Sequence, residues 1–222
     1  SEIAGMHWNG MEVPPVFDGS PPRVLQPGET WNVKFKVIDK ASVYVYHPHT
    51  MGLIGQQVNK GAAGLIIVRD DEEAQLPLPR NYGVDDFPVA VQDKKFSPAG
   101  QFIFYPYGDS ILVNGTPHPY LHCPAQVVRL RLVNASTARY YPFGFEGDVP
   151  FHVIASEGCL LSAPVTMTRL TLASGERAEI LVDLTGMEGD SLLLKSFGSE
   201  LPSTDPGSNN LLWESSSLNG VD

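Results

Sequence analysis

Short runs of alternating apolar and polar residues, each closed by turn residues, recur along almost the whole chain and restrict it to β-structure. Val33, Phe35 and Val37 alternate with Lys34 and Lys36, and Leu130 and Leu132 alternate with Arg129 and Arg131. A strand sends successive side chains to opposite faces, so such runs read as half-buried strands. Residues 31–38, 42–46, 64–68, 89–92, 127–134, 151–155, 168–172, 178–184 and 191–196 all have strand character. Pro27-Gly28, Asn114-Gly115 and Ser174-Gly175 punctuate them, and 21 Gly and 19 Pro residues supply turns throughout. One short helical turn is expected at residues 56–61. The predicted fold is all-β.

A β-sandwich of seven to nine strands takes about a hundred residues. Residues 76–200 suffice for one, whereas residues 1–75 hold only about four strands, roughly half of such a unit. The first domain is therefore expected to be incomplete, its missing strands lying before Ser1 in a longer protein or coming from another chain. Open edges of that kind invite association, so a homo-oligomer or a separate partner domain is a further expectation. Residues 70–80 combine an acidic run with Pro77 and Pro79 and read as an interdomain connector. Residues 201–222 read as a linker or tail, with Leu211-Leu212-Trp213 as a segment able to dock.

A net charge of −10, with only 15 Lys plus Arg, argues against nucleic acid and anionic membranes as partners. No stretch reaches the length of a membrane-spanning helix, so no membrane insertion is expected. Cys123 and Cys159 form no Cys-x-x-Cys site. Two unpaired thiols are the simpler reading, although one disulfide is permitted.

Two histidine motifs carry the chemistry: His7-Trp8-Asn9-Gly10 and His47-Pro48-His49. On extended backbone, residues 47 and 49 present two imidazoles side by side, and residues 7 and 9 present an imidazole and a carboxamide. Paired imidazoles on a rigid β-scaffold are suited to a transition metal. The remaining candidates have plainer readings. His118 and His122 fit a loop or surface, His152 a packed or half-buried strand position, and Met51 a loop or core. Asn114-Gly115-Thr116 and Asn134-Ala135-Ser136 fit a turn and a strand end. Residues 70–73 read as a solvated charge run, and Asp85-Asp86 as a turn.

The motifs resemble those of the multicopper oxidases. Residues 6–14 (MHWNGMEVP), with Asp18-Gly19 and Pro27-Gly28, are similar to the family's first copper motif. Residues 46–52 (YHPHTMG), with Gln57-Val58 and residues 61–68, are similar to the second. Residues 81–89, Gln92-Asp93-Lys94, residues 112–115, residues 129–136 and Gly175-Glu176-Arg177 continue the resemblance in the family's order. The nearest type is the bacterial three-domain one, which includes cuprous oxidases and a copper-free cell-division protein.

This resemblance implies cupredoxin-like Greek-key sandwiches and an extracytoplasmic location, bacterial periplasm or secreted. It implies copper as cofactor, with a trinuclear cluster reducing O2 to water while a diphenol or metal ion is oxidised. Carried over by position, His7 is the type 2 ligand and His47 and His49 are type 3 ligands, while Asn9 stands where the family has His. An amide oxygen is a poorer copper donor than imidazole. The family's His-x-x-His-x-His and His-Cys-His segments have no counterpart, so this chain alone is expected to lack oxidase activity, and no residue of it is assigned a catalytic role. The competing expectation is a copper-poor, non-catalytic scaffold or binding protein. Copies of the chain cannot complete the cluster among themselves, because each lacks the same ligands.

Overall fold

In the computed structural model, residues 2–19, 23–209 and 216–222 are described. The chain is all-β, with only short helices. Strands β1 (Met6–Asn9), β2 (Ser42–Pro48) and β3 (Gly64–Val68) form an antiparallel sheet in that order, with α1 (Ile54–Asn59) between the last two. A four-residue helix, α2 (Asp71–Ala74), follows, and the Asp70 carboxylate caps it by accepting from the Glu73 N–H at 2.8 Å.

The remaining strands are β4 (Asp86–Phe96), β5 (Phe102–Ile103), β6 (Ser110–Val113), β7 (Thr116–Pro117), β8 (Val127–Asn134), β9 (Tyr141–Phe145), β10 (Phe151–Ser156), β11 (Cys159–Met167), β12 (Leu170–Leu172), β13 (Arg177–Asp183) and β14 (Leu194–Ser196). The large sheet runs β11-β10-β13-β8-β4-β6-β7, with β5 paired to β4, and β12-β9-β14 forms a smaller one. Pairing is antiparallel except between β4 and β8. Asn114 and Gly115, with φ of 49° and 78°, make the tight turn between β6 and β7.

Alternation decides what each face of the large sheet buries. Val89, Val91, Leu130, Leu132, Ile180 and Val182 pack against Tyr141, Phe143 and Phe145 of the smaller sheet, closing a sandwich. The opposite face carries Val133 and Ala90, which meet Val43, Val45 and Leu65 of the first sheet. The first sheet therefore lies on the outer face of the second sandwich. The three-sheet arrangement places β1 and β2 against β8 and β13.

Several expectations change. Residues 31–36 keep their alternation, with Trp31, Val33 and Phe35 half-buried and Lys34 and Lys36 exposed, but Val37 and Ile38 are exposed, and among the described residues the segment 31–38 joins no ladder. Alternation fixes which side faces inward; it does not supply a pairing partner. Arg129 and Arg131 are fully buried rather than on a wet face, because α2 and β13 cover them with Glu73 and Glu179. The charge run at 70–73 is correspondingly not all solvated: Glu73 is 1% exposed. His152 is exposed, its Nδ1 bonded to Thr166 Oγ1 at 2.9 Å, since its inward neighbours are Phe151 and Val153. Residues 216–222 lie back on the second sandwich, where Leu218 O accepts from Arg139 Nη1 at 3.2 Å and Gly220 N donates to Gly207 O at 2.8 Å. Leu211-Leu212-Trp213 lies outside the described residues.

Candidate metal centre

Strand register assembles the site. In the β1–β2 ladder His7 faces His47 and Asn9 faces Val45, so all four side chains share one face of the first sheet. The same face carries Val43 and Val45 onto β8, whose last residue is Asn134. His47 lies beyond that cover and remains half-buried. The His49 N–H donates to Gly5 O at 2.9 Å, which holds the second motif alongside the first. Three imidazoles are thus neighbours of one another. Their ring centroids are 5.6 Å apart for His7 and His47, 5.1 Å for His7 and His49, and 6.0 Å for His47 and His49.

Outer contacts aim two of the rings. His7 Nδ1 lies 2.9 Å from Asp18 Oδ1, which leaves Nε2 as the nitrogen free to bind. The loop bearing Asp18 folds back on β1, where Trp8 Nε1 donates to Phe17 O at 2.8 Å. Gly19 makes this return possible: its φ is +71°, and a Cβ there would lie 1.6 Å from Met6 O. His47 Nδ1 donates to Pro48 O at 2.9 Å, which places its lone pair on Nε2. Burial holds the His47 pKa below the usual imidazole value, with His7 and His49 adding in the same direction against the Pro48 carbonyl. A neutral imidazole is the form that binds a metal. His49 Nδ1 is buried without a hydrogen-bond partner.

The fourth position differs. Asn9 Nδ2 faces His47 Nε2 at 3.4 Å, and Asn9 Oδ1 accepts from Arg177 Nη1 at 3.2 Å. Among the described residues, no group of three or more His, Cys, Asp or Glu side chains is arranged to hold one ion by itself. The three imidazoles surround a common space without converging as a single ligand set.

The other candidates stay apart from it. His118 and His122 are exposed, with His122 edge-on to Tyr120 at 5.1 Å, and Met51 is 80% exposed. Cys123 and Cys159 form no disulfide. Two contributors were not singled out from sequence as parts of the site, Asp18 and Arg177. Each sits in a segment carrying the family resemblance, but only the fold brings Arg177 beside Asn9, 168 positions away.

An all-β chain of stacked sandwich sheets with a strand-borne histidine set defines a cupredoxin-like protein. Two multicopper oxidase family profiles match it, over residues 1–73 and 86–205. It is 38% identical to the cell division protein FtsP of Xenorhabdus nematophila over 86% of this chain and 42% of that protein. Against FtsP of Escherichia coli it is also 38% identical, covering 83% of this chain and 41% of that one. Among solved structures, the McoA multicopper oxidase of Aquifex aeolicus superposes with a TM-score of 0.79 at 40% identity, covering 82% and 43% of the two chains. The laccase-like multicopper oxidase CueO of Ochrobactrum sp. gives 0.83 at 34% identity, covering 89% and 46%. The chain belongs to the multicopper oxidase family. It spans less than half the length of these relatives.

Copper is the metal the family implies, and the residues fit it unevenly. His47 offers a fixed Nε2 lone pair, His7 an unengaged Nε2, and His49 an orphaned buried nitrogen. Asn9 does not fit, because the atom it turns toward His47 is an amide nitrogen, which has no lone pair to give.

Proposed function

We propose that this chain is the N-terminal and middle part of a multicopper oxidase-type oxidoreductase, and that His7, His47 and His49 are its contribution to a copper cluster. The observation that carries this reading is the approach of three imidazoles to within 5.1–6.0 Å of one another, with His7 and His47 cross-strand partners and His49 just past the end of β2. Since no three of these donors make a complete single-ion site, each serves as a partial ligand that retains copper in this chain and is completed in the cluster by donors outside it. Copper held there would supply electron transfer to O2, forming water while a diphenol or a metal ion is oxidised. This chain's own part is to bind and orient: Asp18 and the Pro48 carbonyl fix two rings. We divide the chain at residues 1–75, 76–200 and 201–222, and place the protein in the periplasm or among secreted proteins on the family resemblance.

The likeness to FtsP and the orientation of Asn9 favour a second reading, a copper-poor scaffold on the same fold. The two separate on metal content. The purified chain is loaded with copper, desalted and analysed for bound metal, beside a variant with His47→Ala and His49→Ala. Retained copper that falls in the double variant supports the cluster reading. Equal, negligible metal in both supports the scaffold.

A further inference from the structure

We propose that Arg177 is a positioning residue that latches the Asn9 amide across His47, so that copper reaches His47 only by displacing that amide and enters first at His7 and His49. The inference rests on the copper reading above and names which part of that site accepts metal first.

The guanidinium is fixed by several partners. Arg177 is 3% exposed; Nε donates to Val43 O at 3.1 Å, Nη1 to Gly175 O at 3.0 Å, and Nη2 lies 2.7 Å from Glu157 Oε2. Its backbone N–H reaches Glu157 Oε1 at 2.6 Å. Gly10 makes room for it, since a Cβ there would lie 2.5 Å from Nη2. The group cannot swing away without giving up contacts to both sheets.

That fixed donor determines which way the amide points. A guanidinium has donors only, so the Asn9 atom facing it is the oxygen, and the NH2 is turned to His47. His47 has its proton on Nδ1, held by Pro48 O, and so accepts at Nε2. The hydrogen bonds run in one direction: Arg177 to Asn9, Asn9 to His47, His47 to Pro48. Reversing the amide would set NH2 against the guanidinium and break the chain at both ends. Copper at His47 must therefore displace the Asn9 hydrogen bond, gains no donor from Asn9 and approaches a cation. Neither His7 nor His49 is tied into this chain.

The test is an anaerobic Cu(I) titration of the whole chain followed by nitrogen-resolved NMR of the imidazoles, for wild type, Arg177→Met and Asn9→Ala. The wild type should show the His7 and His49 ring nitrogens shifting while His47 holds its position. Removing either latch residue should bring His47 into the titration, with affinity rising by up to about tenfold, the equivalent of one hydrogen bond no longer displaced. Asn9→Ala serves as the second arm because it frees His47 and leaves the Arg177 contacts to Val43 and Glu157 in place. A wild-type His47 that shifts together with the other two overturns the latch alone. A His47 still silent in Asn9→Ala overturns it as well. Absence of any shift at His7 and His49 overturns the copper reading, and the latch with it.

Discussion

Arg131 and Asp86 form a two-pronged ion pair, Nε to Oδ1 at 2.7 Å and Nη2 to Oδ2 at 2.8 Å, with neither side chain exposed to solvent. Around it, Arg129 bonds Glu73 at 2.6 Å and Glu179 at 2.7 Å, Arg131 reaches Glu179 at 2.6 Å, and Arg69 and Arg80 close the outer side. The cluster ties α2 and its flanking loops to the large sheet. Isolated buried charges are costly, so a set of this kind holds only while its members remain together.

Removing one member should therefore cost more than removing a pair. Asp86→Asn is expected to destabilise the chain by about 3–5 kcal/mol, because Arg131 is left buried beside a neutral amide. Asp86→Leu combined with Arg131→Met should cost less than either single change. Urea unfolding followed by tryptophan fluorescence measures both, and a single-variant loss below about 1 kcal/mol would contradict the account.

Acid should loosen the same region through Glu73. Burial alone would raise its pKa, but hydrogen bonds from Arg129 and Arg80 outweigh this and hold it below the usual carboxylate value. The unfolded chain thus binds the proton more readily than the folded one. Glu73 contributes stability that is complete above its unfolded pKa, near 4.5, and is lost as pH falls through the lower folded value. Glu73→Gln should remove this part of the acid dependence and lower stability at neutral pH, as read from unfolding midpoints across a pH series.

Much of this was legible in the sequence, and the failures have physical causes. The strand at Val127–Asn134 follows from Arg129-Leu130-Arg131-Leu132, but alternation alone could not show that both faces are covered. The histidine set was readable because its members lie two positions apart on extended backbone and the β1–β2 register aligns the motifs. Strand β11, Cys159–Met167, escaped notice because only its Leu160 and Leu161 are half-buried in an otherwise exposed run, leaving no strong pattern. Arg177 gave no sign as a site residue, since its role depends on how the two sheets meet.

The loop that aims His7 gives a local prediction. Gly19→Ala must push the return away from Met6, which removes Asp18 from His7 Nδ1. Copper affinity at His7 should fall by about 10–100-fold, as expected on loss of an outer partner, while His49 is unaffected. Asp18→Ala should reproduce the loss without altering the loop. Cu(I) competition titrations with imidazole NMR give the comparison, and an unchanged His7 response in both variants would refute it.

Lys94 supports the last prediction. It is 3% exposed on β4, and its Nζ donates to Asn59 O at 2.7 Å and Val58 O at 3.2 Å, the carbonyl end of α1. A cation there answers the Asn59 carbonyl and the negative end of the helix, while Val58 O also accepts from the Gly61 N–H at 2.9 Å. Burial lowers the Lys94 pKa, and nearby Asp93 only partly offsets it. Lys94→Met should leave Asn59 O without this donor and cost about 1–3 kcal/mol near neutral pH. The loss should concentrate in α1, where amide hydrogen exchange should quicken more than in β8. Because folding disfavours the charged amine, the native chain binds fewer protons than the unfolded one between the lowered pKa and 10.5. The stability of the native chain relative to Lys94→Met should therefore rise with pH across that window, and a gap that narrows instead would show that folding favours the charged amine.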